Sequence, residues 1–252
     1  MDTNETIAKQ LDHRTIRQFT DEPIPVATLQ ALEAVANRTA TSHGLQHSSV
    51  IRITDQTVAE KIAQVSTQQY IAEAPELWIF VVDTRRAWKI AREKGHSGQA
   101  ATSYDAFTAA FTDACLMAQN VAVAAESLGL GTCFIGSIGN DTEKVLEALQ
   151  MPELTYPVLA LIMGYPAEKP ELKPRMPAKL RIYENSYEEP ESWSAALADY
   201  DARRAEWVDT RYGKPVGPFT DDIARRMDSI PARREENLRV IAAQGFDVAV
   251  AE

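Results

Sequence analysis

The chain has 252 residues, 45% of them hydrophobic and 25% charged, with a formal net charge of -10. That suffices for one core, or a core with an extension, in an ordinary soluble globular protein. The acidic balance (pI near 5.0) excludes a general nucleic-acid or anionic-membrane binder, because no long basic stripe exists to neutralise phosphates. Two cysteines, Cys115 and Cys133, and four histidines offer neither a disulfide framework nor metal-type spacing, so no structural metal is expected.

The opening residues, Met1 to Glu5, are polar and acidic, unlike a secretory signal, and a cytoplasmic location is expected. Thr3 to Leu11 reads as a short helix leading into the basic segment His13-Arg14-Thr15-Ile16-Arg17. Asp21 to Pro25 is a stiff extended connector, since each proline drives its predecessor out of helical geometry. Leu29, Leu32 and Ala36 fall on one helical face within Val26 to Arg38. Thr39 to Ser49 is a hydroxyl-rich loop, and Val50 to Thr54 is a β-branched strand. Asp55 comes next as the N-cap of a helix over Gln56 to Ser66.

Leu77 to Val82 is a near-continuous apolar run, the pattern of a central strand buried on both faces. The charged, glycine-containing stretch Arg86 to Ala101 reads as mobile. Tyr104 to Leu128 is the strongest helix in the chain, apolar around most of its circumference and therefore buried in a core or against a partner. It closes at Gly129-Leu130-Gly131. A short strand Thr132 to Ile135, a helix near Asp141 to Leu149 and a strand Tyr156 to Met163 come after it; that last run is too short to span a bilayer. From Ala167 the chain is proline-rich and charged, with polar amphipathic helices expected around Trp193 to Arg211 and Asp221 to Ala243. So weakly apolar a tail suits a segment that wraps another surface, such as a second subunit. The order is that of an α+β fold with a central sheet, without regular βαβ alternation.

Several enzyme classes drop out at once. No Gly-x-Gly-x-x-Gly follows a strand, and there is neither a Gly-x-Ser-x-Gly elbow nor a Walker loop. Cys133 sits in an apolar strand and reads as a small buried hydrophobe rather than a nucleophile. What remains is a set of anion-binding and hydrogen-bonding groups on separated loops: His13 to Arg17, Thr41-Ser42, Gln46 with Ser48, Gln68-Gln69-Tyr70, Ile135-Gly136-Ser137 and Lys173-Pro174-Arg175. Arginine's planar fork matches phosphate oxygens, and Thr15 adds a hydroxyl donor. Two basic elements in an otherwise acidic chain point to a bound anion.

In this order the segments resemble the nitroreductase superfamily, in its branch of oxygen-insensitive NADPH nitroreductases and NADPH–FMN oxidoreductases. The resemblance runs nearly end to end. It is carried by His13 to Arg17, Phe19 to Ile24, Gln46 to Asp55, Ala124 to Gly131 and Leu172 to Pro177. It implies a nitroreductase-like fold: a mainly antiparallel sheet flanked by helices, a flavin-binding core over residues 1–166, and an extension over 167–252 that completes the phosphate site and wraps the partner of a homodimer.

The resemblance also implies roles. His13, Arg14, Arg17, Lys173 and Arg175 grip the FMN phosphate, and Thr15 stands where many relatives have serine. Thr41, Ser42 and Gln68 line the ribityl chain and pyrimidine side, Gly136 and Ser137 match the loop whose backbone N–H groups face the flavin edge, and Gln46, Tyr70 and Ile135 are further cofactor-binding residues. Arg211 would meet the 2′-phosphate of NADPH, with Arg233 as a second candidate. The implied reaction is hydride transfer from NADPH through flavin N5 to nitroaromatic, quinone or related acceptors, by a ping-pong scheme on one open face. A flavin reductase and a non-catalytic flavin-storage protein are the alternatives. His43-Gly44 and Gly139 depart from the family pattern, near the flavin and the substrate entrance respectively.

Overall fold

A computed structural model describes residues 3–248. The described residues divide into two compact units: 3–168 with 231–248, and 169–230.

In the first unit Asn4 caps α1 (Glu5–Leu11) by accepting from the Ile7 N–H. The chain then runs extended to α2 (Val26–Arg38), which buries Leu29, Leu32 and Ala36 as their spacing predicts. β1 (Ser48–Ile53) leads to α3 (Gln56–Ser66), whose cap Asp55 accepts from Thr57 N at 2.8 Å. Next come β2 (Glu76–Asp83), α4 (Arg85–Glu93), α5 (Tyr104–Ser127), β3 (Gly131–Ile135), α6 (Thr142–Ala148) and β4 (Thr155–Gly164). The strands form one sheet in the order β1-β2-β4-β3, and every pairing is antiparallel.

The apolar run in β2 is buried on both sides because its neighbours cover both. Trp78 and Phe80 face a core with Leu32 of α2 and Ala114, Ala118 and Val121 of α5. Leu77, Ile79 and Val81 face the opposite core, with Ile62 and Ala63 of α3 and Val145 of α6. Period-2 alternation therefore sorts one strand between two helical layers. Proline at 157 cannot donate to a ladder. The register between β2 and β4 shifts at Phe80/Val81, where Phe80 pairs with Leu159 and Val81 with Pro157.

The segment expected to be mobile is ordered. α4 occupies Arg85–Glu93, and a 3₁₀ turn covers Gln99–Thr102. Trp88 of α4 is packed against the cluster that holds Phe107, Tyr156 and Phe246, which a count of charges does not reveal. Helix α5 has the predicted extent, but within the chain it buries one face only. Phe107, Ala110, Ala114, Met117, Ala118 and Val121 point inward, whereas Phe111 and Leu116 remain 39% and 47% exposed.

The second unit contains α7 (Trp193–Ala196), α8 (Ala198–Glu206), the two-residue strands β5 (Val208–Asp209) and β6 (Lys214–Pro215), and α9 (Phe219–Met227). The single helix expected over Trp193 to Arg211 is thus two, and it stops early. Residues 208–215 form a hairpin that turns at Gly213, where φ is +60°. The helix expected over Asp221 to Ala243 is also divided. Pro231 disfavours helical geometry at Ile230, and α10 (Asn237–Ala243) forms separately, in the first unit.

Candidate active site

The basic segment lies against the sheet because two glycines let it approach. A Cβ on Gly131 would stand 2.7 Å from Ile16 Cβ, and one on Gly164 would stand 2.8 Å from the Phe19 ring. Ile16 N donates to Thr132 O at 2.9 Å, and Thr20 N donates to Tyr165 O at 2.9 Å. Its side chains have different partners. His13 Nδ1 lies 2.7 Å from Glu126 Oε1, which also accepts from Thr132 Oγ1 at 2.6 Å. Arg14 is held by Asp12, through the backbone carbonyl at 2.9 Å and the carboxylate at 2.7 Å. Thr15 pairs with Thr132 in a parallel bridge. Arg17 donates its backbone N–H to Glu168 Oε1 at 2.8 Å, but its guanidinium Nε is buried with no hydrogen-bond partner among the described residues. A buried, unsatisfied charged donor is costly. An oxyanion is the ligand that would satisfy it.

Gln68, Tyr70 and Ser137 are brought together. Gln68 Nε2 donates to Ser137 Oγ at 3.3 Å, and the Tyr70 hydroxyl makes a short bond to Gln68 Oε1. Ile135 closes β3 and is buried, and Gly136 opens the 3₁₀ turn Gly136–Asn140. Among the described residues, none but its chain neighbours lies within 4 Å of the position a Gly136 Cβ would take. The chain's own packing therefore does not require glycine there; a flat ligand against the backbone would.

Arg234, the neighbour of the candidate Arg233, is bonded to this turn. Its Nη2 donates to Gly136 O at 2.9 Å and its Nε to Asn140 Oδ1 at 3.0 Å. Arg233 instead pairs with Asp141. Two adjacent arginines look alike in sequence, and only the turn after Pro231 decides which faces the loop. Gly139 presents its carbonyl to Asn237 Nδ2 at 3.1 Å.

Thr41, Ser42 and Gln46 lie on a separate loop of the same unit. Ser42 donates from N and Oγ to Asp113 Oδ1, at 2.9 and 3.1 Å. His43 and Gln46 have φ of 52° and 55°, in the left-handed region. Thr41 and Gln46 border a cavity of about 560 Å³ together with Ser48, Arg52, Trp78 and Arg86. His47 beside it is buried, and desolvation pulls its pKa below the usual 6.5; Arg86 adds to the drop while Asp113 and Asp83 oppose it. Arg52 forms a two-point ion pair with Glu76, at 2.7 and 2.5 Å, and Glu76 also accepts from Trp78 Nε1 at 2.9 Å.

The second unit gathers the other cations. Lys173 places its ammonium 5.3 Å from the centre of the Trp207 ring. Desolvation, then Arg204 and Arg175, lower its pKa; Asp209 opposes, and Arg211 adds to the fall. Such a clustering of like charges is what an anion relieves. Arg204 is buried and bonded to Gly217 O at 2.8 Å and Asp222 Oδ2 at 3.0 Å; nothing in the sequence marks it, because it sits in an ordinary polar helix. Arg175 is exposed. Arg211 makes a two-point pair with Asp209, whose shortest contact is 2.6 Å, and its guanidinium lies 5.0 Å from the Tyr212 ring centre.

Among the described residues no group of three or more His, Cys, Asp or Glu is placed to hold a metal, and no helix is long and apolar enough to cross a membrane. Burial raises the Cys115 thiol pKa, the wrong direction for a nucleophile.

Comparison with known proteins is consistent along nearly the whole chain. Residues 11–165 match the model described as the nitroreductase family, and residues 173–249 match its C-terminal domain. The oxygen-insensitive NADPH nitroreductase of Salmonella typhimurium is 40% identical over 222 residues, 88% of this chain and 90% of the relative. The FMN reductase (NADPH) of Bacillus subtilis is 32% identical over 232 residues, 90% and 93% of the two chains. The solved NADPH:FMN oxidoreductase from Vibrio harveyi, complexed with NAD+, superposes with a TM-score of 0.85 at 28% identity, covering 98% of this chain and all of that one.

Proposed function

Since the chain belongs to the nitroreductase family, we propose that it is an FMN-dependent oxidoreductase that takes hydride from NADPH and reduces nitroaromatic, quinone or related small acceptors. FMN, when bound, supplies the redox chemistry, accepting hydride and passing electrons on; the protein supplies position and electrostatics. The observation that carries the reading is the buried Nε of Arg17, without a hydrogen-bond partner among the described residues, on a segment pressed against the sheet. It fits a phosphate.

Each residue then has a physical task. Arg17, with His13 and Arg14 beside it, offers positive charge and N–H donors to the phosphate, and Thr15 a hydroxyl. Lys173 and Arg175, in the second unit, form a second basic element suited to an anion. Gln68, already oriented by Tyr70 and Ser137, presents a fixed amide to the polar edge of the flavin. Backbone N–H groups at Gly136 and Ser137 stabilise electron density gained at the ring edge. Thr41, Ser42 and Gln46 provide polar contacts to the ribityl chain. Arg211, held by Asp209, is poised for the 2′-phosphate of NADPH. One open face serving donor and acceptor in turn gives ping-pong kinetics.

Similarity to an FMN reductase supports a second acceptor, free flavin, at the same site. The assembly is a homodimer: α5 exposes Phe111 and Leu116, and the second unit exposes Ile182, Tyr187 and Met227, apolar surface that suits a partner chain. The protein acts in the cytoplasm.

Arg17→Ala tests the reading. FMN affinity falls about 10- to 100-fold, the worth of a charge-assisted hydrogen bond, while riboflavin, which lacks the phosphate, binds as before. An equal loss for both flavins would remove Arg17 from the phosphate.

A further inference from the structure

Asp113 lies in the middle of α5, on its buried face, and is 1% exposed. Its neighbours on that face are apolar: Ala110, Ala114 and Met117. A buried carboxylate is unfavourable unless hydrogen-bonded. Asp113 directs its bonding to one residue 71 positions upstream. Oδ1 accepts from both Ser42 N and Ser42 Oγ, while Oδ2 is buried with no hydrogen-bond partner among the described residues.

The loop it holds is not one the backbone adopts readily. His43, Gly44 and Gln46 all have left-handed φ, two of them with a Cβ. The far end is tied down as well, by Arg86, which donates to Gln46 O and, at 3.4 Å, to Ser48 O while pairing with Asp83 at 3.1 Å. A second α5 residue, Asn120, donates to Thr39 Oγ1 at 3.1 Å. Thr41, one residue from the Asp113 contact, lines the cavity.

We propose that Asp113 is a positioning residue for the cofactor loop: it fixes Ser42, and through it Thr41, in the geometry that meets the ribityl chain and ring. This rests on the function proposed above. It differs from a general stabilising role because, among the described residues, the carboxylate's hydrogen bonds go to Ser42 of the loop.

The test is titration of apo-protein with FMN and with riboflavin, with amide hydrogen exchange over residues 40–48. Asp113→Ala lowers affinity for both flavins by the same factor, about tenfold or more, since the loop contacts lie away from the phosphate. It also speeds exchange at the Ser42 amide while β2 keeps its protection. Asp113→Asn retains an acceptor for Ser42 and stays within about threefold of wild type. Should the alanine variant not fold, the asparagine variant and the wild-type Ser42 amide decide. A wild-type Ser42 amide that exchanges as fast as an unprotected one, or an asparagine variant whose flavin affinity collapses, overturns the proposal. Equal flavin affinity in wild type and Asp113→Ala overturns it while leaving the proposed function standing. Wild-type protein that binds neither flavin removes both.

Discussion

Gly131→Ala loads the joint between the basic segment and the sheet. The new Cβ would meet Ile16 Cβ and Cγ1 at 2.7 Å and Cγ2 at 2.8 Å. Carbon–carbon contacts are optimal at 3.5–4.0 Å, so the two segments must separate by roughly 1 Å. Ile16 is 6% exposed and bonded through its backbone to Thr132, which leaves little freedom to absorb the shift. Overpacking of this kind costs about 1–3 kcal/mol. The displaced segment carries Arg14 and Arg17, so FMN affinity should fall about tenfold or more, the loss expected when one charge-assisted bond is misaligned. Urea unfolding of the apo-protein measures the first effect and flavin fluorescence titration the second. Gly136→Ala is the complementary variant. Its Cβ meets none of the described residues within 4 Å beyond its chain neighbours, so apo stability should hold while FMN binding weakens. A Gly131→Ala protein with unchanged stability and FMN affinity within about twofold of wild type would refute the close-packing argument.

Other consequences are open to equally direct tests. Arg211→Ala should raise KM for NADPH about tenfold or more and leave KM for NADH nearly unchanged, as loss of one charge-assisted contact to the 2′-phosphate requires; parallel rises for both would remove that role. His47 is buried with a pKa below its usual 6.5. The unfolded chain therefore takes up a proton that the folded one resists. The stability from its neutral form is complete above pH 6.5 and is lost as pH falls through the lower folded value. His47→Gln should flatten the fall in urea midpoint between pH 7.5 and pH 5, and an unchanged slope would count against this. Phe111→Glu places a charge on the exposed apolar face of α5 and should yield aggregated or FMN-free protein; a soluble flavin-bound monomer in sedimentation would contradict the dimer.

The fold is most legible where local pattern and tertiary environment agree. Leu77 to Val82 suits only a strand covered on both faces, and Asp55 stands where a cap for the helix Gln56–Ser66 is needed. The long helix is clear in extent but not in burial, because sequence shows that Phe111 and Leu116 are apolar and not that the chain leaves them outside. α4 escapes a reading of pattern since its many charges hide the anchoring of Trp88. Among site residues the basic segment announces itself by charge. Asp113 does not: an acidic residue in a helix is ordinary until its partner, Ser42, arrives from 71 residues away. Arg234 and Arg233 are separable only by the direction of a turn, and Glu76, inside a strand, is explained by Arg52 on the neighbouring one and by the Trp78 indole two residues along.

The most direct test of the central claim is the visible spectrum of the purified protein before and after anaerobic addition of NADPH. Flavin absorption bands should be present, bleach on addition, and return when a nitroaromatic or quinone acceptor is supplied. A protein that stays colourless after incubation with FMN and removal of the excess, or flavin bands that NADPH leaves untouched, would contradict it.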